Sequence, residues 1–488
     1  MTVLAQLGGP VACGGLAGVI VLDRPRLRLL ALAIAALGAV ALGVAVAPRE
    51  WLVVTGGAIA ALGVAVGLAG LYRARPWLFP VLALACVPIR IGVHVGGASS
   101  KLLVPLYVVA LGAAVLLAWE LWSGDPRSRE LRWASAPLAA VLVWTGLSLL
   151  WSKDVSAGAV TLLAFYVPFA VVALSVARLP WSRVGVRVLY AEVTLMGLVF
   201  AAIGLYQYET REIFQNPKVI NSNAYAPFFR VNSVFWDPSV YGRFLVLAMA
   251  PSIALVALGR SLRASIVSVA VLVVLWLGLL ISYSQSSFAA LLVVVIGASF
   301  VAWRWRALVA VVLAIAVLAG ISVAQPQVRR SLQSHTTSGL NSATSGRYNL
   351  VANGIRIAAH HPVLGVGVGG FKRAYAERVG LKGKDPKNAA SHNTPVTVAA
   401  ETGFVGLLLL VWLLGSLFAM AWRRRGRAVP LVAGLGVAAV FCHSLFYNAF
   451  FEDPMTWALM GLLALAIPAY VVPAGVQPPV ERREPVPA

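Results

Sequence analysis

Charge is scarce in this chain, and acid is scarcest. Only 11% of its 488 residues are charged, and 17 Asp and Glu face 39 Lys and Arg. Soluble domains carry about a quarter charged residues, so a soluble enzyme and an acidic binding module are both excluded. Cysteine is nearly absent. Cys13, Cys86 and Cys442 all fall within apolar runs, which rules out a disulfide framework and a thiolate metal site. His360 and His361 are adjacent and have no spaced partners, so no metal and no cofactor are expected. What fills the chain is apolar: 60% of residues are hydrophobic and the mean hydropathy is +0.86. The apolar runs are about 20 residues long and do not alternate, the pattern of membrane-crossing helices.

Fifteen such spans are predicted, near 5–22, 27–47, 51–72, 77–96, 101–121, 134–152, 158–179, 187–207, 240–259, 264–282, 287–303, 307–324, 395–422, 428–449 and 455–472. The first has no basic n-region before it and reads as a retained span rather than a cleaved signal. The expected fold is an all-α, polytopic transmembrane bundle of about 14–15 spans with a long outer loop carrying short helices. It divides into N-terminal helices (1–207), a first outer loop (208–239), central helices (240–324), a long basic outer loop (325–394), C-terminal helices (395–472) and a disordered tail (473–488).

The net charge of +22 comes largely from clusters at alternate span ends. These are Arg24/Arg26/Arg28, Arg73/Arg75, Arg127/Arg129/Arg132, Arg183/Arg187, Arg260/Arg263, Arg304/Arg306 and Arg423/Arg424/Arg425/Arg427. Membrane orientation accounts for them without nucleic acid, and places them in the cytoplasm with the N-terminus outside. The loop 325–394 escapes that rule because it is long. It carries Arg329, Arg330, Arg347, Arg356, Lys372, Arg373, Arg378, Lys382, Lys384 and Lys387 against Glu377 and Asp385. Attraction of a phosphate-bearing ligand or of lipid headgroups explains such a charge.

Candidate chemistry gathers at the outer side. His392, in Ser391-His392-Asn393-Thr394-Pro395, stands just before a span. Thr394 suits the N-cap there, Pro395 suits the first turn, and Gly403 and Gly406 allow a close helix neighbour. An imidazole titrates near neutrality and can take a proton from a hydroxyl. Arg230 ends the first outer loop, Arg243 lies one turn into the next span, and Arg347 lies in the second loop. Guanidinium grips phosphate oxygens in a forked geometry, although Arg243 and Arg90 are also placed to snorkel to the interface. Gly365-Val366-Gly367-Val368-Gly369-Gly370 spells a dinucleotide fingerprint but lacks the strand and helix context, and reads as a tight turn. Ser284, Ser286 and Ser287 have no nucleophile elbow around them. Asp453, on a short outer turn, and Glu120 and Glu192 near the opposite span ends complete the acidic candidates.

Three stretches together resemble the O-antigen ligase and polymerase superfamily, the WaaL/Wzy group. They are Arg230 before Phe235-Trp236-Asp237-Pro238-Ser239, Ser345-Gly346-Arg347 with His361-Pro362-Val363-Leu364-Gly365, and His392-Asn393 followed by Gly403 and Gly406. The likeness spans about 225–410. It implies a GT-C type glycosyltransferase of the bacterial cytoplasmic membrane, facing the periplasm or exterior, that uses neither metal nor nucleotide sugar. The donor would be a glycan on undecaprenyl pyrophosphate, and the acceptor a glycan or lipid-glycan hydroxyl. His392 would be the general base of one inverting displacement, and Arg230 and Arg347 would hold the pyrophosphate. A polymerase of lipid-linked repeats is the alternative within enzymes, and a lipid-linked glycan transporter the alternative outside them.

Overall fold

The structure is a computed structural model, and it describes residues 2–46, 51–95, 98–225, 228–259, 261–324, 347–380 and 391–465. Arg260, Arg329, Arg330, Lys382, Lys384, Asp385 and Lys387 lie outside the described residues, as do 466–472 of the last expected span and the tail 473–488.

Backbone polar groups in hydrocarbon must be paired within the segment that carries them, and this chain pairs them in helices. In order they are α1 (Thr2–Val21), α2 (Pro25–Val46), α3 (Trp51–Ala74), α4 (Leu78–Ala85), α5 (Val104–Trp122), α6 (Ser135–Ser148), α7 (Val155–Thr161), α8 (Val167–Arg178), α9 (Arg183–Thr210), α10 (Pro217–Tyr225), α11 (Pro238–Leu258), α12 (Leu262–Leu280), α13 (Gln285–Ala324), α14 (Arg347–His360), α15 (Phe371–Arg378), α16 (Thr394–Arg423), α17 (Ala428–Ser444) and α18 (Pro454–Ala464). Among the described residues, 11 helical segments are long and apolar enough to cross a membrane, and α17 and α18 are shorter apolar helices. The protein is a multi-pass helical membrane protein. The expected span 307–324 runs as the second part of α13, beyond a break at Arg304 (φ 58°, ψ −150°). Between α7 and α8 a wider turn, Leu162–Tyr166, joins the two helices just before Pro168, whose ring cannot donate to the preceding turn.

One expected span is not a span. Residues 77–96 form only the eight-residue α4, a non-helical stretch over 86–90, and the strand β1 (Ile91–Val95). β1 pairs antiparallel with β2 (Ala98–Leu102), with Val95 opposite Ala98. Pro88 withholds the amide that would extend α4. After it Ile89, Ile91, Val93 and Val95 alternate with Arg90, Gly92 and His94, a period of two that belongs to a strand. The same hairpin replaces the first residues of the expected span 101–121, so α5 starts at Val104.

Among the described residues, the two largest apolar clusters of the core meet on α17. Ala433, Val437 and Val440 pack into one, which also holds Cys13, Leu142, Phe169 and Trp457. Leu431, Leu435 and Ala439 pack into the other, with Tyr241, Phe244 and Leu275. A helix that is apolar all round is buried all round, which makes α17 the axis of the bundle.

At one end of the bundle the arginines are paired rather than merely exposed. Arg28, fully buried, forks onto Glu130 at 2.8 and 2.9 Å and donates to the Val19 carbonyl at 2.8 Å. Arg178 reaches Glu120 at 2.6 Å and Asp125 at 2.9 Å, and also pairs with Glu130. Glu130 therefore bridges two buried guanidiniums from different helices, with Glu120 and Asp125 sharing the charge of Arg178.

At the opposite end, α16 is broken at Gly403 (φ 70°, ψ −169°), a conformation open essentially to glycine alone. The groups freed by the break are taken by the segment after α14. Val366 N donates to Ala400 O at 2.9 Å, Gly367 N to Glu401 O at 2.8 Å, and Phe404 N to Pro362 O at 2.7 Å. Gly365, Gly367 and Gly369 all have positive φ, so the glycine-rich run is a tight turn. It also seats against the start of α7: Ser152 Oγ donates to Val368 O at 2.7 Å, and Lys153 N to Val366 O at 2.9 Å.

Two stability outcomes follow. Glu130→Ala leaves two buried cations short of a partner and is expected to cost about 3–5 kcal/mol, read as a fall in the unfolding midpoint in detergent. Gly403→Ala forces a side chain into a glycine-only conformation against the Val363 carbonyl. It is expected to cost at least about 1–3 kcal/mol, measured the same way.

Candidate active site

Five helices begin at one place, at the end of the bundle away from the Arg28–Glu130 network: α11, α13, α14, α16 and α18. Three of them start on an acidic or amide cap followed by proline. Asp237 Oδ1 accepts from Ser239 N at 2.7 Å, Asn393 Oδ1 from Val396 N at 3.0 Å, and Asp453 Oδ1 from Met455 N at 2.8 Å. Pro238, Pro395 and Pro454 occupy the first turns, where a missing amide is harmless. Helix N-termini carry partial positive charge and unpaired amides, so their convergence favours an anion.

His392 sits at this convergence. The cap of α16 is Asn393 and not Thr394, because His392 adopts a left-handed backbone (φ 55°) and turns the chain one residue earlier than expected. Asn393 Nδ2 donates to Leu445 O at 3.0 Å, and Thr394 Oγ1 to Asn448 Oδ1 at 3.1 Å. These bonds fasten the histidine segment to the connection between α17 and α18. The imidazole is half-buried and lies 6.2 Å from the Tyr447 ring. Burial lowers its proton affinity below the ordinary value, the Arg347 guanidinium lowers it further, and the Asp237 carboxylate opposes both.

Arg230 is held by its backbone and its side chain. Asn223 accepts from its amide at 3.0 Å and donates to its carbonyl at 2.9 Å, and Arg230 Nε donates to Ser282 O at 3.2 Å. Burial disfavours its charge, Asp237 supports it, and Arg347 opposes it. Arg347 opens α14 and is exposed. His392, Arg230 and Arg347 thus share one electrostatic neighbourhood, with Asp237 as its carboxylate.

Arg243 stands apart from the other three. Its side chain is buried, its Nε meets Asp453 Oδ2 at 2.7 Å, and its Nη1 lies 3.4 Å from His443 Nδ1. It does not snorkel, and its charge is already matched. Arg90 lines a small cavity with Arg243 and Asp453. Ser284, Ser286 and Ser287 bond among themselves, and Ser287 Oγ donates to Ser239 O at 3.4 Å.

Sequence reasoning missed Asp237 as an electrostatic partner, and missed His443 and Tyr447 altogether. A buried histidine in an apolar span is a functional signal in its own right, and His443 was available by that rule. Beneath the site lies an apolar cavity of about 390 Å³, lined by Leu84, Val87, Leu247 and Met455 near the site and by Trp181 and Arg187 at the far end. Pro80, Ala83 and Leu84 of the short helix α4 form part of its wall.

Residues 270–411 match the family described as O-antigen ligase, a stretch that includes Arg347, His392 and Gly403. No curated protein matches the chain at a significant level. The matched stretch carries the broken helix and its histidine, and over those residues the chain is similar to the O-antigen ligase family.

Proposed function

We propose that this protein is a GT-C type glycosyltransferase that moves a glycan from undecaprenyl pyrophosphate to an acceptor hydroxyl at the outer face of the bacterial cytoplasmic membrane. One observation carries the reading. The Arg347 guanidinium lies close enough to act electrostatically on both a half-buried histidine and a second arginine, at the end of the bundle where five helices begin. A neutral base beside an anion-binding pocket suits attack by a hydroxyl with departure of a diphosphate.

In this mechanism His392 takes the acceptor proton as the acceptor oxygen bonds to the anomeric carbon. The bond from that carbon to the pyrophosphate oxygen breaks on the opposite face, and the configuration inverts. Arg230, Arg347 and the helix N-termini stabilise the charge that grows on the leaving diphosphate. The apolar cavity beneath shares Val87, Leu247, Pro454 and Met455 with the small cavity that holds Arg90 and Arg243. It offers the polyprenyl chain an apolar path alongside the Arg243–Asp453 pair. The acceptor is left to the assay: ligation adds one preassembled chain, whereas polymerisation gives a ladder of product sizes.

His392→Ala is expected to lower transfer by about 10²–10⁴-fold while the protein remains folded. Turnover at the wild-type rate by that variant removes the base assignment. Because burial and Arg347 favour the neutral imidazole, the wild-type acid limb should fall below the ordinary histidine value of about 6.5. Rate is then lost only as pH drops through the lowered value. Arg347→Ala removes a charge-assisted contact of about 1.5–3 kcal/mol and should reduce kcat/KM for a polyprenyl-pyrophosphate donor by about 10–100-fold. An unchanged kcat/KM in steady-state assays with purified protein counts against its role.

A further inference from the structure

We propose that Asp453, Arg243 and His443 form a buried positioning network that holds Tyr447 against the His392 imidazole, and that this contact, rather than a hydrogen bond, orients the base. The inference rests on the glycosyl-transfer reading of the site.

The base itself is under-held. Among the described residues, His392 makes no hydrogen bond. Its recorded neighbour is the Tyr447 ring at 6.2 Å, inclined at 67°. Both of its ring nitrogens are therefore left for substrate, and something else must fix the ring. Ring pairs at 4.5–7 Å in inclined geometry are attractive, and Tyr447 is the residue so placed.

Tyr447 is in turn held from below. Its ring lies 5.8 Å from that of His443 and 6.0 Å from the Arg243 guanidinium carbon. The chemistry of the partners fixes the state of His443. Its Nε2 lies 3.1 Å from the Ser239 carbonyl, which only accepts, so Nε2 carries the proton. Its Nδ1 faces a guanidinium, which only donates, so Nδ1 accepts at 3.4 Å. Both nitrogens are committed, and His443 is a neutral brace that has no proton to trade. Asp453 cancels the charge of Arg243 at 2.7 Å. The network thus carries no net charge into the floor of the site. It ties α11 to the continuous stretch formed by α17, the connection that bears Tyr447 and the cap of α18.

The charged groups that bear on this pair are few. Arg347 and Asp237 face His392. Asp237, Arg243, Glu452 and Arg90 face Tyr447. Removing the Tyr447 ring admits water to the imidazole and relieves the burial that favours its neutral form. The acid limb should therefore move to higher pH.

The test compares wild type, His392→Ala, Tyr447→Ala, Tyr447→Phe, His443→Leu and His443→Gln in one transfer assay with a polyprenyl-pyrophosphate glycan donor. Misplacing a catalytic group by about 1 Å costs about 10²-fold. Tyr447→Ala and His443→Leu should therefore lower kcat by about that factor, with donor KM within about threefold of wild type and the acid limb displaced upward. His443→Gln supplies an amide N–H for Ser239 and an oxygen for Arg243, and should restore most of the lost rate. Tyr447→Phe keeps the ring and should retain most of it as well. Wild-type kcat in Tyr447→Ala overturns the inference, and so does a loss that appears only in KM with an unmoved acid limb. If His443→Leu does not fold, the two Tyr447 variants decide the matter. Transfer by His392→Ala at the wild-type rate, or none by wild type, sinks the parent reading instead.

Discussion

A peptide group left unpaired in hydrocarbon is so costly that its avoidance organises this molecule. Five helices start at the same spot, and each start exposes amides that the helix itself cannot satisfy. Asp237, Asn393 and Asp453 satisfy part of that demand, and the turn at Gly365–Gly369 satisfies the break in α16. The residual positive character falls where Arg230 and Arg347 also point. The proposed anion site is thus a by-product of how the bundle closes its own backbone at one end.

Basic residues serve two unrelated purposes here. Arg28 and Arg178 are locked to Glu120, Asp125 and Glu130, where they join helices at the far end of the bundle. Arg243 belongs with them in kind, since Asp453 answers its charge. Arg347 has no such answering acid among its recorded contacts, and Arg230 has the distant help of Asp237.

Much of this was legible in the sequence, for reasons that can be named. Long apolar runs announce helices because hydrocarbon permits little else, and a histidine beside a helix start is visible as a linear motif. Where the reading failed, a second pattern was hidden inside the first. Residues 77–96 are apolar enough to span, yet Pro88 and the alternation from Ile89 to Val95 belong to a hairpin. The ion pair of Arg243 was likewise hidden, because its partner Asp453 lies 210 positions away. Asn393 was passed over for Thr394 because the left-handed turn at His392 leaves no trace in residue type. Tyr447 carries no signal in the chain, because what links it to His392 is proximity in the fold alone, whereas His443 could have been flagged as a histidine within an apolar run.

The break at Gly403 has a mechanical corollary. Three bonds that would ordinarily run along α16 are made instead by an extramembrane turn. That turn repairs a helix, so it cannot lift away without exposing carbonyls and amides in an apolar surround. It is a fixed clasp and not a hinge, so the turn and the two halves of α16 can shift only as one body.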